Sequence, residues 1–108
     1  MPHHPQSRIK NFFNYSATLT GAQTDEVLVA APGDGFRICL TDIAINPTAD
    51  GNLTLEHGST ALVLTYAQTN ELLVWNLNTP LMGQNNTALT ITSSAGNVSV
   101  NLSGYILS

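Results

Sequence analysis

Basic residues are nearly missing from this sequence. Three Lys and Arg stand in 108 residues, beside seven Asp and Glu. Arg8 and Lys10 fall in the first ten residues, Arg37 is the third, and every acid lies between Asp25 and Glu71. Nucleic-acid binding needs clustered Lys and Arg to displace counterions from phosphates, so that class is excluded. Charged residues make up 9% of the chain, against about a quarter in ordinary soluble proteins. Cysteine is absent except for Cys39, so neither an intrachain disulfide nor a multi-thiolate metal site can form. No apolar run approaches the roughly 20 residues of a membrane helix. The opening "MPHHPQSRIKNFF" lacks the apolar stretch of a secretory leader, which predicts synthesis and folding in a cytoplasm. No segment has the period of an amphipathic helix.

What remains is apolar residues at 43%, interleaved with Thr, Asn, Ser and Gln. Burying an amide or a hydroxyl at an interface costs less than burying an ion. This composition therefore suits a β domain that packs against neighbours. The length fits one domain with one core. Residues 1–14 read as an extended N-terminal arm: Pro2 and Pro5 block regular structure, and Arg8, Ile9, Lys10, Phe12 and Phe13 follow. Two adjacent aromatics need a surface to pack on, either this domain or a neighbour.

From Tyr15 to the end the period is two. Strands are predicted near residues 15–20, 25–31, 36–46, 51–57, 60–66, 71–77, 87–92 and 97–107. In the last, Val98, Val100, Leu102 and Ile106 share a face with Gly104, which predicts a bulge or a close backbone approach there. In "FRICLTDIAIN" the apolar phase switches between Leu40 and Ile43. A β-bulge at Thr41–Asp42 would reset it, and the strand is expected to pass there between the two sides of a sandwich; the alternative is a strand buried on both faces over part of its length. Asp50-Gly51 and Gly58-Ser59 read as hairpin turns, so residues 36–66 are expected to form an antiparallel meander. Residues 78–87, with Pro80 and Gly83, read as a long connection. The fold class is all-β: an antiparallel β-sandwich of about eight strands, jelly-roll-like, over residues 15–108.

Each candidate site meets a plainer reading. Gly33-Asp34-Gly35 is followed by a strand, where a phosphate cradle needs a helix, and one Asp is too few for a calcium loop. It reads as a turn. His57 is in phase with Leu53 and Leu55, with no nucleophile motif beside it, and reads as a partly buried histidine with a hydrogen-bond partner. His3 and His4 lie in the arm without a third ligand. Glu56 and Glu71 sit on different strands with nothing to set a catalytic separation. Cys39, with Arg37 on its face, reads as a small buried hydrophobe. Trp75 is in phase with Leu73 and Leu77 and reads as core. No catalytic, cofactor or metal residue is expected, and the chain is not expected to be an enzyme.

Four stretches, "EVLVAAPGDGFRICLTDIAI", "GNLTLEHGSTALVLTY", "ELLVWNLNTPLMG" and "ALTITSSAGNVSVNLSGYIL", together resemble small tailed-bacteriophage virion proteins. The pattern is a strand ending in a Pro/Gly turn, a long strand, a GxxTLxxGxTAL hairpin, an apolar strand running into Pro-Leu, and a closing strand ending in Gly-Tyr. It covers residues 26–107 and leaves the arm outside. The resemblance is to capsid decoration (cement) proteins and head-fibre bases. It implies a structural protein on the virion's capsid surface, self-associated as a homotrimer, with the major capsid protein as partner and no nucleic acid or membrane. Within that reading, Arg8, Ile9, Lys10, Phe12 and Phe13 are the expected contacts. The alternative is a carbohydrate- or receptor-binding module of a fibre or tail, using exposed aromatics such as Tyr66, Trp75 or Tyr105.

Overall fold

The computed structural model describes residues 9–57, 60–94 and 96–108, without the side chains of Lys10, Thr60, Leu62, Val63, Leu64, Tyr66 and Ala67. Every regular element among the described residues is a strand: β1 (Ile9–Leu19), β2 (Gln23–Val29), β3 (Arg37–Pro47), β4 (Gly51–His57), β5 (Thr60–Ala67), β6 (Leu73–Met82), β7 (Leu89–Ser93) and β8 (Val98–Leu107). They form two antiparallel four-stranded sheets, β1-β8-β3-β6 and β2-β7-β4-β5. Strand pairs 1 with 8, 2 with 7, 3 with 6 and 4 with 5 run the length of the chain, like one long hairpin bent over two sheets.

The sequence period explains the layers. In β8 alternate residues are buried, and Val98, Val100, Leu102 and Ile106 join Ile38, Leu40, Ile43 and Ile45 of β3. Leu28, Leu53, Leu55, Leu89 and Ile91 of the second sheet complete the same cluster. One core shared by two sheets makes the arrangement sandwich-like.

The phase switch in β3 is a bulge. Both ladders of β3 skip a residue between Leu40 and Asp42. The skipped residue, Thr41, donates its hydroxyl to the Ser103 carbonyl at 3.1 Å. The extra residue returns Ile43 and Ile45 to the face of Ile38 and Leu40. The strand stays in one sheet along its whole length, so the expected passage from one side to the other does not occur. Gly104 lies opposite Leu40, beside the bulge. A Cβ at Gly104 would run into the Cys39 carbonyl and come within 3.0 Å of the Phe13 ring. Close backbone approach is therefore why glycine stands on the apolar face of β8.

Three further expectations fail. First, residues 36–66 are not a meander. β3 and β4 belong to different sheets, and only the β4–β5 hairpin is present; its turn, Gly58-Ser59, lies outside the described residues. Asp50 serves a corner instead, accepting from the backbone and hydroxyl of Thr69 at 2.6 and 2.9 Å. That bond ties the β3–β4 crossing to the β5–β6 crossing, and Asn70 N–H adds a 2.9 Å bond to the Pro47 carbonyl. Second, residues 78–82 continue β6 through Pro80. β6 is an edge strand, where a missing N–H is tolerated. Third, β1 starts at Ile9, so the arm boundary expected at residue 14 falls inside a strand. The aromatic pair alternates across a pleat, Phe13 packing against the shared core.

Candidate interaction surfaces

Residues of β1 divide between two faces because successive side chains of a strand point oppositely. Phe13, Tyr15 and Leu19 pack against the core. Phe12, Asn14, Ser16 and Thr18 face outward and are exposed. Of the expected contacts, Ile9 is half-exposed, Phe12 is 73% exposed and Phe13 is half-buried. Lys10 is on the β1 backbone with its side chain outside the described set, and Arg8 lies outside the described residues. Phe12 and Phe13 therefore cannot meet one partner surface together, as an arm would allow.

Ladder register places Phe12 opposite Tyr105, Tyr105 opposite Cys39, and Cys39 opposite Met82. This row crosses the outer face of the first sheet. The rings of Phe12 and Tyr105 meet edge to face, centroids 6.1 Å apart, a favoured aromatic geometry. Met82 is 51% exposed and accepts a long contact from Arg37 Nη1 at 3.6 Å. Cys39, between the two, is completely buried. Burial pushes its thiol above the usual cysteine range, against the opposing effects of a Tyr105 hydrogen bond and the Arg37 charge. It is the small buried hydrophobe that its place in the strand suggested. The next row, Asn14, Ser103, Asp42 and Asn76, is polar. That polar row separates the aromatic patch from Val74, which is 51% exposed opposite Ala44 farther along the same face.

At that end the Gly33-Asp34-Gly35 turn meets the β6–β7 connection. Gly33 and Gly35 have φ of 109° and 86°, and Phe36 N–H closes the turn on the Gly33 carbonyl at 3.0 Å. Side-chain carbonyls of Asn86 and Asn85 accept from Gly33 N–H and Gly35 N–H at 2.9 and 2.7 Å. Asn85 Nδ2 in turn donates to Asp34 at 2.9 Å. The amides that a bound anion would need are taken by asparagines, so the motif works as a latch between two connections.

His57 closes the same end from inside. It is 1% exposed; Nδ1 accepts from Gln84 N–H at 2.7 Å and Nε2 lies 3.1 Å from the Thr87 carbonyl. Those partners fit a neutral ring protonated on Nε2. Burial lowers its pKa, with the Thr87 carbonyl acting in the opposite sense. Burial is complete, where the sequence suggested a partly buried ring.

Glu56 and Glu71 do not converge. Glu56 accepts from the Thr92 hydroxyl at 2.7 Å on the outer face of the second sheet, and Glu71 is exposed in the β5–β6 crossing. Among the described residues no three His, Cys, Asp or Glu side chains are grouped to hold a metal ion. Trp75 and Tyr15 pack against the core, while Tyr105 lies on the outer face beside Phe12. Sequence reasoning missed Met82 and the Asn85–Asn86 latch, because their segment carried Pro80 and Gly83 and read as a loop. No family model matches this chain, and no curated protein or solved structure matches it either.

Proposed function

We propose that this chain is a non-enzymatic structural virion protein, a decoration protein that binds the assembled head of a tailed phage and stabilises it. The major capsid protein is the partner in this reading, on the capsid surface. The same reading includes self-association, as a trimer by the resemblance. We also infer a jelly-roll from the strand order, in which a single long hairpin is wound over both sheets.

The observation that carries the reading is the row of Phe12, Tyr105 and Met82. A rigid apolar patch at one end of a sheet face, bordered by a polar row of Asn14, Ser103, Asp42 and Asn76, suits a docking surface. Its ring geometry is fixed by the strand ladder before any partner arrives, which lowers the ordering cost of binding. The weak surface charge serves the same end. A protein that binds only the assembled shell stabilises that shell by mass action.

Co-sedimentation with purified phage heads tests the proposal. The wild-type chain should pellet with heads and raise their disruption temperature. Phe12→Ser should lose binding at least tenfold while its own melting temperature falls by only a few degrees, because Phe12 is mostly exposed in the free chain and gives up only its edge contact with Tyr105. A wild-type chain that stays in the supernatant at every head concentration overturns the proposal. Deleting residues 1–14 is a poor test, since it removes six residues of β1.

A further inference from the structure

We infer that the free edge of β1 is a self-pairing surface, on which a second copy of this chain adds its own β1 antiparallel about a two-fold axis near Asn14. The inference does not rest on the virion reading.

Two four-stranded sheets leave four edges: β1, β6, β2 and β5. An edge strand offers unpaired N–H and C=O groups to any passing strand, and proteins blunt such edges with charge, proline or bulges. Three edges here are blunted. β2 carries Asp25 and Glu26 and loses register at both ends, with Asp25 at φ 48°. β6 contains Pro80 and breaks register between Asn76 and Leu81. β5 has an extra residue, Leu62, between the partners of Leu55 and Glu56. β1 has its bulge and its one charge, Lys10, at its very start, and from Asn11 to Leu19 it pairs with β8 residue for residue, with no charge and no proline in that span.

The edge is also unfinished on its inner side. A groove of about 260 Å³ opens beside it, lined by Asn11, Phe13, Val29, Ala30, Pro32 and Ile106. Phe13 and Tyr15 are only half-buried, and among the described residues no strand lies beyond β1 on that side. An added strand would supply backbone partners and cover the groove at once.

A second copy suits this edge for reasons of register and charge. With Asn14 on the axis, Phe13 faces Tyr15 of the second copy and Asn11 faces its Ala17. Inner residues then meet inner residues, as a buried face requires. The aromatic cross-strand pairs are of a stabilising kind. No acid lies in β1, so the chain's net charge of −4 stays away from the seam. The two Lys10 Cα positions would stand about 27 Å apart at about 3.4 Å per residue, well beyond the screening length of about 8 Å at physiological salt. Joining the sheets gives one of eight strands, within the usual range.

This pairing closes at two copies, where the resemblance implies three, so mass decides between them. Sedimentation equilibrium at about 1–200 µM should give a species of twice 11.5 kDa, and β1 amides should gain exchange protection with concentration. Asn14→Lys and Asn14→Glu place like charges opposite each other at the axis, and each should raise the dimer dissociation constant at least tenfold. An equimolar mixture of the two should restore the dimer, an outcome that a merely misfolded variant cannot give. Circular dichroism of each variant checks the fold. A wild-type monomer over this range overturns the inference, as does a trimer with unprotected β1 amides. A dimer that both variants retain also overturns it. Head binding by Phe12→Ser is a separate measurement, so the two proposals can fail independently.

Discussion

Gly83 lies against the face of the His57 imidazole, so close that a Cβ at Gly83 would overlap the ring. The two residues come from different sheets: His57 ends β4 and Gly83 follows β6. Gly83 N–H also bonds the Ile38 carbonyl at 2.8 Å, which fixes the backbone in place. Gly83→Ala should therefore destabilise the fold by about 1–3 kcal/mol, the usual cost of overpacking a filled site. Urea denaturation measures it. An unchanged midpoint would mean that the ring moves aside at no cost.

His57 also makes stability depend on pH. Its folded pKa lies below the ordinary histidine value of about 6.5, because burial disfavours the charged ring. The unfolded chain therefore takes up a proton before the folded one does. The stabilising contribution is complete above about pH 6.5 and is lost as pH falls toward the folded pKa. The slope from this one site cannot exceed about 1.4 kcal/mol per pH unit. NMR titration of the ring in the folded protein is the check. An ordinary midpoint, with flat stability between pH 6.5 and 5, contradicts this account.

Thr41 is the residue that lets β3 keep both of its apolar runs inside. Its hydroxyl reaches the Ser103 carbonyl at 3.1 Å and Asp42 at 3.0 Å. Thr41→Val preserves shape and removes the donor, so a loss of about 0.5–1.5 kcal/mol is expected, the net worth of one hydrogen bond. Deleting Thr41 should do far more, because every residue after it in β3 would change face. Thermal unfolding of the two variants separates these effects.

That bulge was legible in the sequence because it leaves a local trace, an apolar period of two that slips by one. The strands and the layer alternation were legible for the same reason. The sheet partners of β3 and β4 were not. Asp50-Gly51 has the composition of a hairpin turn, but the same residues also suit a corner between sheets, and only the distant Thr69 distinguishes the two. The start of β1 was hidden by Phe12-Phe13, which breaks no period when one ring faces the core and the other faces out. The outer-face row of Phe12, Tyr105, Cys39 and Met82 joins residues from four strands, and its register is invisible along the chain.

Asp50 is an exposed carboxylate with two short hydrogen bonds, and these hold its pKa below the ordinary aspartate range. The Thr69 backbone N–H is the larger cause and the Thr69 hydroxyl the smaller. Its contribution to stability is present above the unfolded pKa and is lost as pH falls through the folded one. Thr69→Val keeps the N–H and removes the hydroxyl, so the Asp50 midpoint should rise part of the way to the ordinary value. Asp50→Ala should shift acid unfolding to higher pH by loosening the tie between two crossings. Carboxyl NMR through an acid titration reads both, and an unmoved midpoint in Thr69→Val would remove the hydroxyl from the account.

Cys39 reports on the close approach of β3 and β8 at Gly104. Its side chain is fully buried, and its backbone carbonyl lies where a Cβ on Gly104 would stand. Thiol reagents attack the thiolate, and burial both shields the sulfur and raises its pKa. The native chain should therefore react with a thiol reagent only through opening, orders of magnitude more slowly than the denatured chain. Gly104→Ala forces β8 away from β3 or pushes the Phe13 ring aside, and the bulge at Thr41 leaves the ladder little freedom to adjust. A loss of at least about 2 kcal/mol follows from overpacking against backbone, which is roughly a thirtyfold faster labelling rate when opening equilibrates before reaction. Equal labelling rates for Gly104→Ala and the wild-type chain would show that the two strands are not in the close contact argued here.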